Sequence, residues 1–203
     1  MRQNTKAALI RAAERLFAEQ GLGTVSVRDI TRAAGARNES ALHYHFGGIE
    51  ALIREIFAQR YHAIEAARVA RIAELDATQK SDDIGALLEA AMAPLFEACV
   101  EENGRLYAYF LVQLVTDPRF NLTDLVQDFE PGCVVTIKDR VCAVLTHVPE
   151  DSLIRRLRHV FTLSIILTAD YARQIDAGTA APPEQAVREA ATCLHGFLQG
   201  ATP

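Results

Sequence analysis

The chain has 203 residues, half of them hydrophobic and 23% charged, with a net charge of -5, which suffices for one large or two small globular domains with a buried core. No run of about 18 apolar residues occurs, which excludes a transmembrane helix, and the first residues lead into an amphipathic pattern rather than an apolar leader, so a cytoplasmic protein is expected. Charge is uneven: residues 1–60 carry nine Lys/Arg against six Asp/Glu, and residues 61–203 carry twelve against twenty, so a polyanion would be met by the first quarter of the chain.

Nearly every segment has helical period and no alternating strand pattern survives, so the predicted fold class is all-α. A first helix is expected from about Thr5 to Gln20, with Leu9, Ala13, Leu16, Phe17 and Gln20 repeating at steps of three and four and with Gly21 and Gly23 stopping it. Ser26-Val27-Arg28-Asp29 then reads as a capping box, in which hydroxyl and carboxylate each satisfy an unpaired backbone N–H. It opens a short helix with Val27, Ile30 and Ala34 inside and Gly35 at its end. Asn38 is a candidate cap for another brief helix reaching His45, with Ala41, Leu42 and Phe46 packing inward.

A longer helix is predicted from Ile49 to about Ala73. Others are predicted over 83–103, 105–115, 121–129, 132–147, 151–177 and 183–199. The separators are Asn103-Gly104, Asp117-Pro118, Pro131-Gly132, Val148-Pro149, Ala177-Gly178 and Pro182-Pro183, where glycines allow an exit and prolines cannot continue a helix. Cys99, Cys133, Cys142 and Cys193 form neither a CxxC nor a Cys/His cluster, so no metal and no disulfide framework is expected.

Two short helices joined by a turn containing Gly35, and buttressed by the helix before them, have the spacing of a helix-turn-helix, which would set the second helix in the DNA major groove. The same spacing also fits a three-helix corner of a bundle. Residue identities go further. The stretches Ala7–Gly21 (AALIRAAERLFAEQG), Thr24–Gly35 (TVSVRDITRAAG) and Tyr44–Leu52 (YHFGGIEAL) together resemble the N-terminal domain of the TetR family of one-component transcriptional regulators. The resemblance covers about residues 5–57.

It implies a homodimer with a helix-turn-helix domain over 1–48 and a larger helical effector-binding and dimerisation domain over 49–203. Leu16, Phe17, Val27, Ile30, Leu42 and Phe46 are then core. Ser26 and Arg28 would meet phosphates, and Arg37 either a phosphate or a guanine edge. Asn38 would act as cap or adenine contact, Ala41 would touch a thymine methyl, and His43 would donate to a base or phosphate. Ser40 is short enough for close approach. Tyr44 matches a family position whose ring leans on the DNA backbone. Glu39 and Ile49 stand where basic residues are common in the family, so a modest salt dependence per half-site is expected.

A single motif offers few phosphate contacts, so specificity requires two half-sites and a dimer. Phe161, Ile165, Ala190, Leu194 and Phe197, on the last two helices, are the candidate dimer seam; they also fit a monomer core. Phe96, Tyr107, Phe110 and Gln113 are candidate contacts for a small, largely apolar effector, or plain core. The expected function is a ligand-responsive transcriptional regulator, most simply a repressor, with double-stranded DNA, an effector and a second copy as partners and with no cofactor or membrane. An all-α enzyme is the alternative, though GxSxG, P-loop, GxGxxG and HExxH motifs are missing. A protein-binding helical scaffold is another.

Overall fold

A computed structural model describes residues 2–36, 38–127 and 132–200, apart from the side chains of 2–4, 122, 123 and 127. The described residues are all-α. The helices are α1 (Arg2–Gln20), α2 (Val27–Ala33), α3 (Ser40–Phe46), α4 (Ile49–Ala77), α5 (Ile84–Ala98), α6 (Glu102–Thr116), α7 (Leu122–Gln127), α8 (Cys133–Val144), α9 (Glu150–Asp176) and α10 (Pro183–Gln199). Among the described residues, no helix is long and apolar enough to cross a membrane. They form two compact units, Met1–His62 with Leu106–Val126, and Ala63–Arg105 with Gln127–Pro203.

In the first unit the inward stripe of α1 is covered completely at Leu9, Ala13 and Phe17, and so are Ile30, Leu42, Leu52 and Ile53. Phe17 meets Phe110 with ring centroids 6.3 Å apart, and Tyr107 stacks on Phe110 at 6.0 Å. The Tyr107 hydroxyl donates to the Phe57 carbonyl at 3.4 Å. Burying aromatic rings of this size is the main stabilising contribution here.

A charged pair joins α1 to α4. Glu14, 6% exposed, accepts from Arg60 Nε at 3.2 Å and from Nη2 at 3.3 Å. Burial raises the Glu14 carboxyl above its usual value, and the Arg60 guanidinium opposes this only in part. A raised native value means that protonation favours the folded state, a contribution present at low pH and lost as pH rises through that value. Arg60→Ala should therefore cost stability at neutral pH and less as pH is lowered and Glu14 takes up a proton. Denaturant midpoints measured from neutral pH downwards check the slope; a loss independent of pH would contradict it.

In the second unit α10 packs on α5 and α9, and Phe96 stacks on Tyr171 with centroids 5.1 Å apart. Pro94 lies inside α5 and cannot donate to the helix ladder. Nearby, buried Arg68 donates Nε to the Ala91 carbonyl at 2.8 Å. The Glu65 carboxylate accepts the Cys133 N–H, and so caps α8, whose N-cap Gly132 has no side chain to do it. All four cysteines are free thiols; burial pushes those of Cys99 and Cys133 up to about 12.

The break expected at Asn103-Gly104 falls earlier. α5 ends at Ala98, and Gly104 lies inside the first turn of α6. Arg105 Nη1 donates to the carbonyls of Cys99 and Val100, both at 3.1 Å, and its Nε lies 2.7 Å from Asp176. A guanidinium thus satisfies carbonyls at the α5 exit. Gly104 serves a different purpose, since a Cβ there would run into the backbone of Ala98. The long helix α4 also extends to Ala77 and is stopped by Gln79 at φ 57°, with Lys80 N–H bonded to the Leu75 carbonyl.

Candidate nucleic-acid interface

The capping box read from the sequence is formed. Ser26 Oγ accepts the Asp29 N–H at 3.3 Å, while the Ser26 N–H and hydroxyl both donate to Asp29 Oδ2, at 3.2 and 2.5 Å. These bonds, with the Ser26 hydroxyl foremost, hold the Asp29 carboxyl below its usual value. The hydroxyl proton of Ser26 is therefore already committed within the cap. Ser26→Ala should cost about 1 kcal/mol of stability, read from thermal unfolding; an unchanged midpoint would show that the cap contributes nothing.

The turn after α2 follows the Schellman pattern. Gly35 takes φ +65°, Gly35 N–H bonds to the Arg32 carbonyl at 3.1 Å, and Ala36 N–H reaches the Thr31 carbonyl at 2.9 Å. The left-handed conformation explains the glycine at this corner. Helix α3 then starts at Ser40 with Glu39 as its N-cap and no side-chain cap bond. This corrects the capping role expected of Asn38, which lies one residue too early and contributes only its carbonyl, to Ala41 N–H at 3.4 Å. Arg37 lies outside the described residues.

Leu42 is fully covered and anchors α3, so the opposite side of the helix faces solvent. Ser40, His43 and Tyr44 are exposed there, Tyr44 at 71%, with Ala41 half-buried between them. His43 Nδ1 lies 3.3 Å from the Gly47 carbonyl. The rings of Tyr44 and His45 meet edge-on at 5.1 Å, and His45 lies 6.1 Å from Phe46, so half-buried His45 props Tyr44 outward. Ser26, Arg28 and Asn38 are exposed as well. The face combines hydroxyls, an amide, an imidazole and a guanidinium, donors suited to phosphates and base edges.

The sequence reading overlooked a surface groove of about 510 Å³ beside this face, lined by Lys6, Ile10, Arg11, Tyr44, His45 and Gln59. Its only signal in the sequence is the row of cations on the outer side of α1.

The other candidate residues are distributed as follows. Tyr107, Phe110 and Gln113 lie in the first unit, where Gln113 Oε1 stands 3.1 Å from the place a Cβ on Gly21 would occupy. Phe96 belongs to the second unit, and all three aromatic rings are buried. Ile165, Ala190 and Leu194 are covered within the single chain, Phe161 is half-covered, and Phe197 is exposed. Ile154, Leu163 and Ile166 are the other large apolar side chains exposed on α9.

Residues 9–56 match the family model described as bacterial regulatory proteins, tetR family. No curated protein matches the chain by sequence. Among solved structures, a chain from Shewanella sp. PV-4 described as a tetR family transcription regulator is 19% identical over 94% of this chain and 95% of its own, with a TM-score of 0.64. NalD, the secondary repressor of the MexAB-OprM multidrug efflux pump in Pseudomonas aeruginosa, is 19% identical over 96% of both chains at a TM-score of 0.55. A gamma-butyrolactone receptor described as ArpA-like is 19% identical over 96% of this chain and 97% of its own, at 0.53. These structures share the fold along nearly the whole chain, while the match at residues 9–56 coincides with the helix-turn-helix. The N-terminal domain of the chain therefore matches the TetR family of bacterial regulatory proteins, over residues 9–56.

Proposed function

We propose that the protein is a cytoplasmic, ligand-responsive repressor that binds operator DNA as a homodimer through residues 1–48. The observation that carries this reading is the outward surface of α3: a short helix anchored by fully buried Leu42 presents Ser40, His43 and 71%-exposed Tyr44 to solvent. Asn38, Ser40, Ala41 and His43 then face base edges in the major groove, Tyr44 lies on the backbone, and Ser26, Arg28 and Arg37 serve the flanking phosphates. Because the Ser26 hydroxyl donates to Asp29, Ser26 serves through the helix start it fixes. The repressor role of NalD, which has the same fold, supports repression over activation.

Residues 49–203 would bind the effector and dimerise. A second copy fits the outer face of α9, where Leu163 and Ile166 stand exposed, together with α10, where Phe197 does. Half-covered Phe161 and covered Ile165, Ala190 and Leu194 lie on the inward sides of these helices and support them from beneath. Tyr107, Phe110 and Gln113 are proposed effector contacts within the first unit, and Phe96 separately within the second; since the rings are packed, an effector must rearrange them. Occupancy would favour a conformation in which α4 tilts and the two recognition helices lose their groove spacing.

The test is a titration of the full chain against a duplex enriched from a random pool. Tyr44→Ala with His43→Ala should weaken binding at least tenfold with the helical circular-dichroism signal unchanged. Equal binding by wild type and variant would refute the assignment.

A further inference from the structure

The groove beside Tyr44 is not explained by base reading. Its walls are α1, α3 and α4, all within Met1–His62. Ile10 is buried at its floor, and its rim carries the exposed Arg11 guanidinium and the exposed Tyr44 ring.

The charges around it single out one cation. Lys6 Nζ sits 2.7 Å from Glu55 and 5.6 Å over the Phe46 ring, so its charge is already answered. The recognition helix Ser40–Phe46 contains no lysine or arginine, and Arg32 leans towards Asp29 at 3.7 Å. Arg11, among the described residues, has no ion-pair or hydrogen-bond partner. An exposed, unanswered guanidinium next to a phenol, above an apolar floor, is complementary to a deoxyribose flanked by phosphates.

We infer that Arg11 is a phosphate anchor: the groove seats the sugar-phosphate backbone of the bound duplex, with Arg11 and Tyr44 on neighbouring phosphates. This rests on the DNA-binding reading above and supplies the cation that α3 itself lacks. The contact carries no sequence information. It should strengthen binding to any duplex and release one counterion per half-site.

The experiment measures affinity against salt for the full chain, using the enriched duplex and a random duplex of equal length. The variants are Arg11→Gln, Arg11→Lys and, as a charge-matched control on an exposed residue of the other unit, Lys80→Gln. Arg11→Gln should reduce the magnitude of the logarithmic salt slope by about 2 for two half-sites, so that the ratio of wild-type to variant affinity shrinks roughly tenfold between 50 and 200 mM salt. The loss should be similar on both duplexes, Arg11→Lys should retain most of the slope, and melting temperature should be unchanged. If wild type prefers the enriched duplex but Arg11→Gln behaves like Lys80→Gln, the anchor is refuted and the DNA reading stands. A loss confined to the enriched duplex would also refute it, by showing base readout. If wild type binds neither duplex, both readings fall.

Discussion

Replacing Gly104 by alanine is expected to destabilise the protein by about 3 kcal/mol or more. A Cβ at this position would collide with the carbonyl carbon and oxygen of Ala98 and stand 3.0 Å from Cys99 N. All three are backbone atoms, so no side chain can swing aside to make room. Relief would require the end of α5 to move from the start of α6, and that joint is held by Arg105 on the Cys99 and Val100 carbonyls and on Asp176. Gly196 provides the control: it lies in a helix with nothing within 4 Å of its added Cβ. Gly196→Ala should be neutral or stabilising by up to about 1 kcal/mol. Denaturant unfolding of the two variants checks the contrast, and equal midpoints would contradict the close approach at Gly104.

Phe110→Ala should cost about 3–5 kcal/mol, the usual range for emptying the site of a fully covered phenylalanine. The ring has no exposed surface and lies between Phe17 and Tyr107, while Tyr107 is itself fixed by the Phe57 carbonyl and by Arg60 5.9 Å from its ring centre. Truncation would leave a hole that these partners cannot fill without giving up their own contacts. Were Phe110 instead the wall of an open effector cavity, its removal would change stability by well under 1 kcal/mol. Urea unfolding distinguishes the two through the midpoint, provided the slope is unchanged.

Local chemistry was legible in the sequence wherever one residue type has one physical use. The Ser26–Asp29 box and the Gly35 corner were readable because few residues can accept those N–H groups or adopt a positive φ. Gly104 was misread as a chain exit because glycine also marks close approach, and only the fold reveals which. Asn38 was assigned a cap that fell on Glu39, since short helices carry too little pattern to fix their first residue. Periodicity put Phe161, Ile165, Ala190, Leu194 and Phe197 on one candidate dimer seam, yet it cannot tell a chain's own core from a partner's surface, and Ile165, Ala190 and Leu194 are covered within the single chain. The exposed Leu163 and Ile166 lie on another side of α9 from Ile165. Arg11, a cation on the outer face of an amphipathic helix, reads as ordinary solvated charge until Tyr44 is brought beside it.

The central claim is that α3 enters the major groove as one half of a symmetric pair. Guanine N7 methylation protection on the enriched duplex tests it most directly, because that atom lies on the major-groove edge. Two protected major-groove patches are expected, related by a dyad and separated by about 34–36 Å or a multiple of it, and both should vanish with Tyr44→Ala and His43→Ala. Protection at a single patch, or none together with equal affinity for every duplex, would contradict the account.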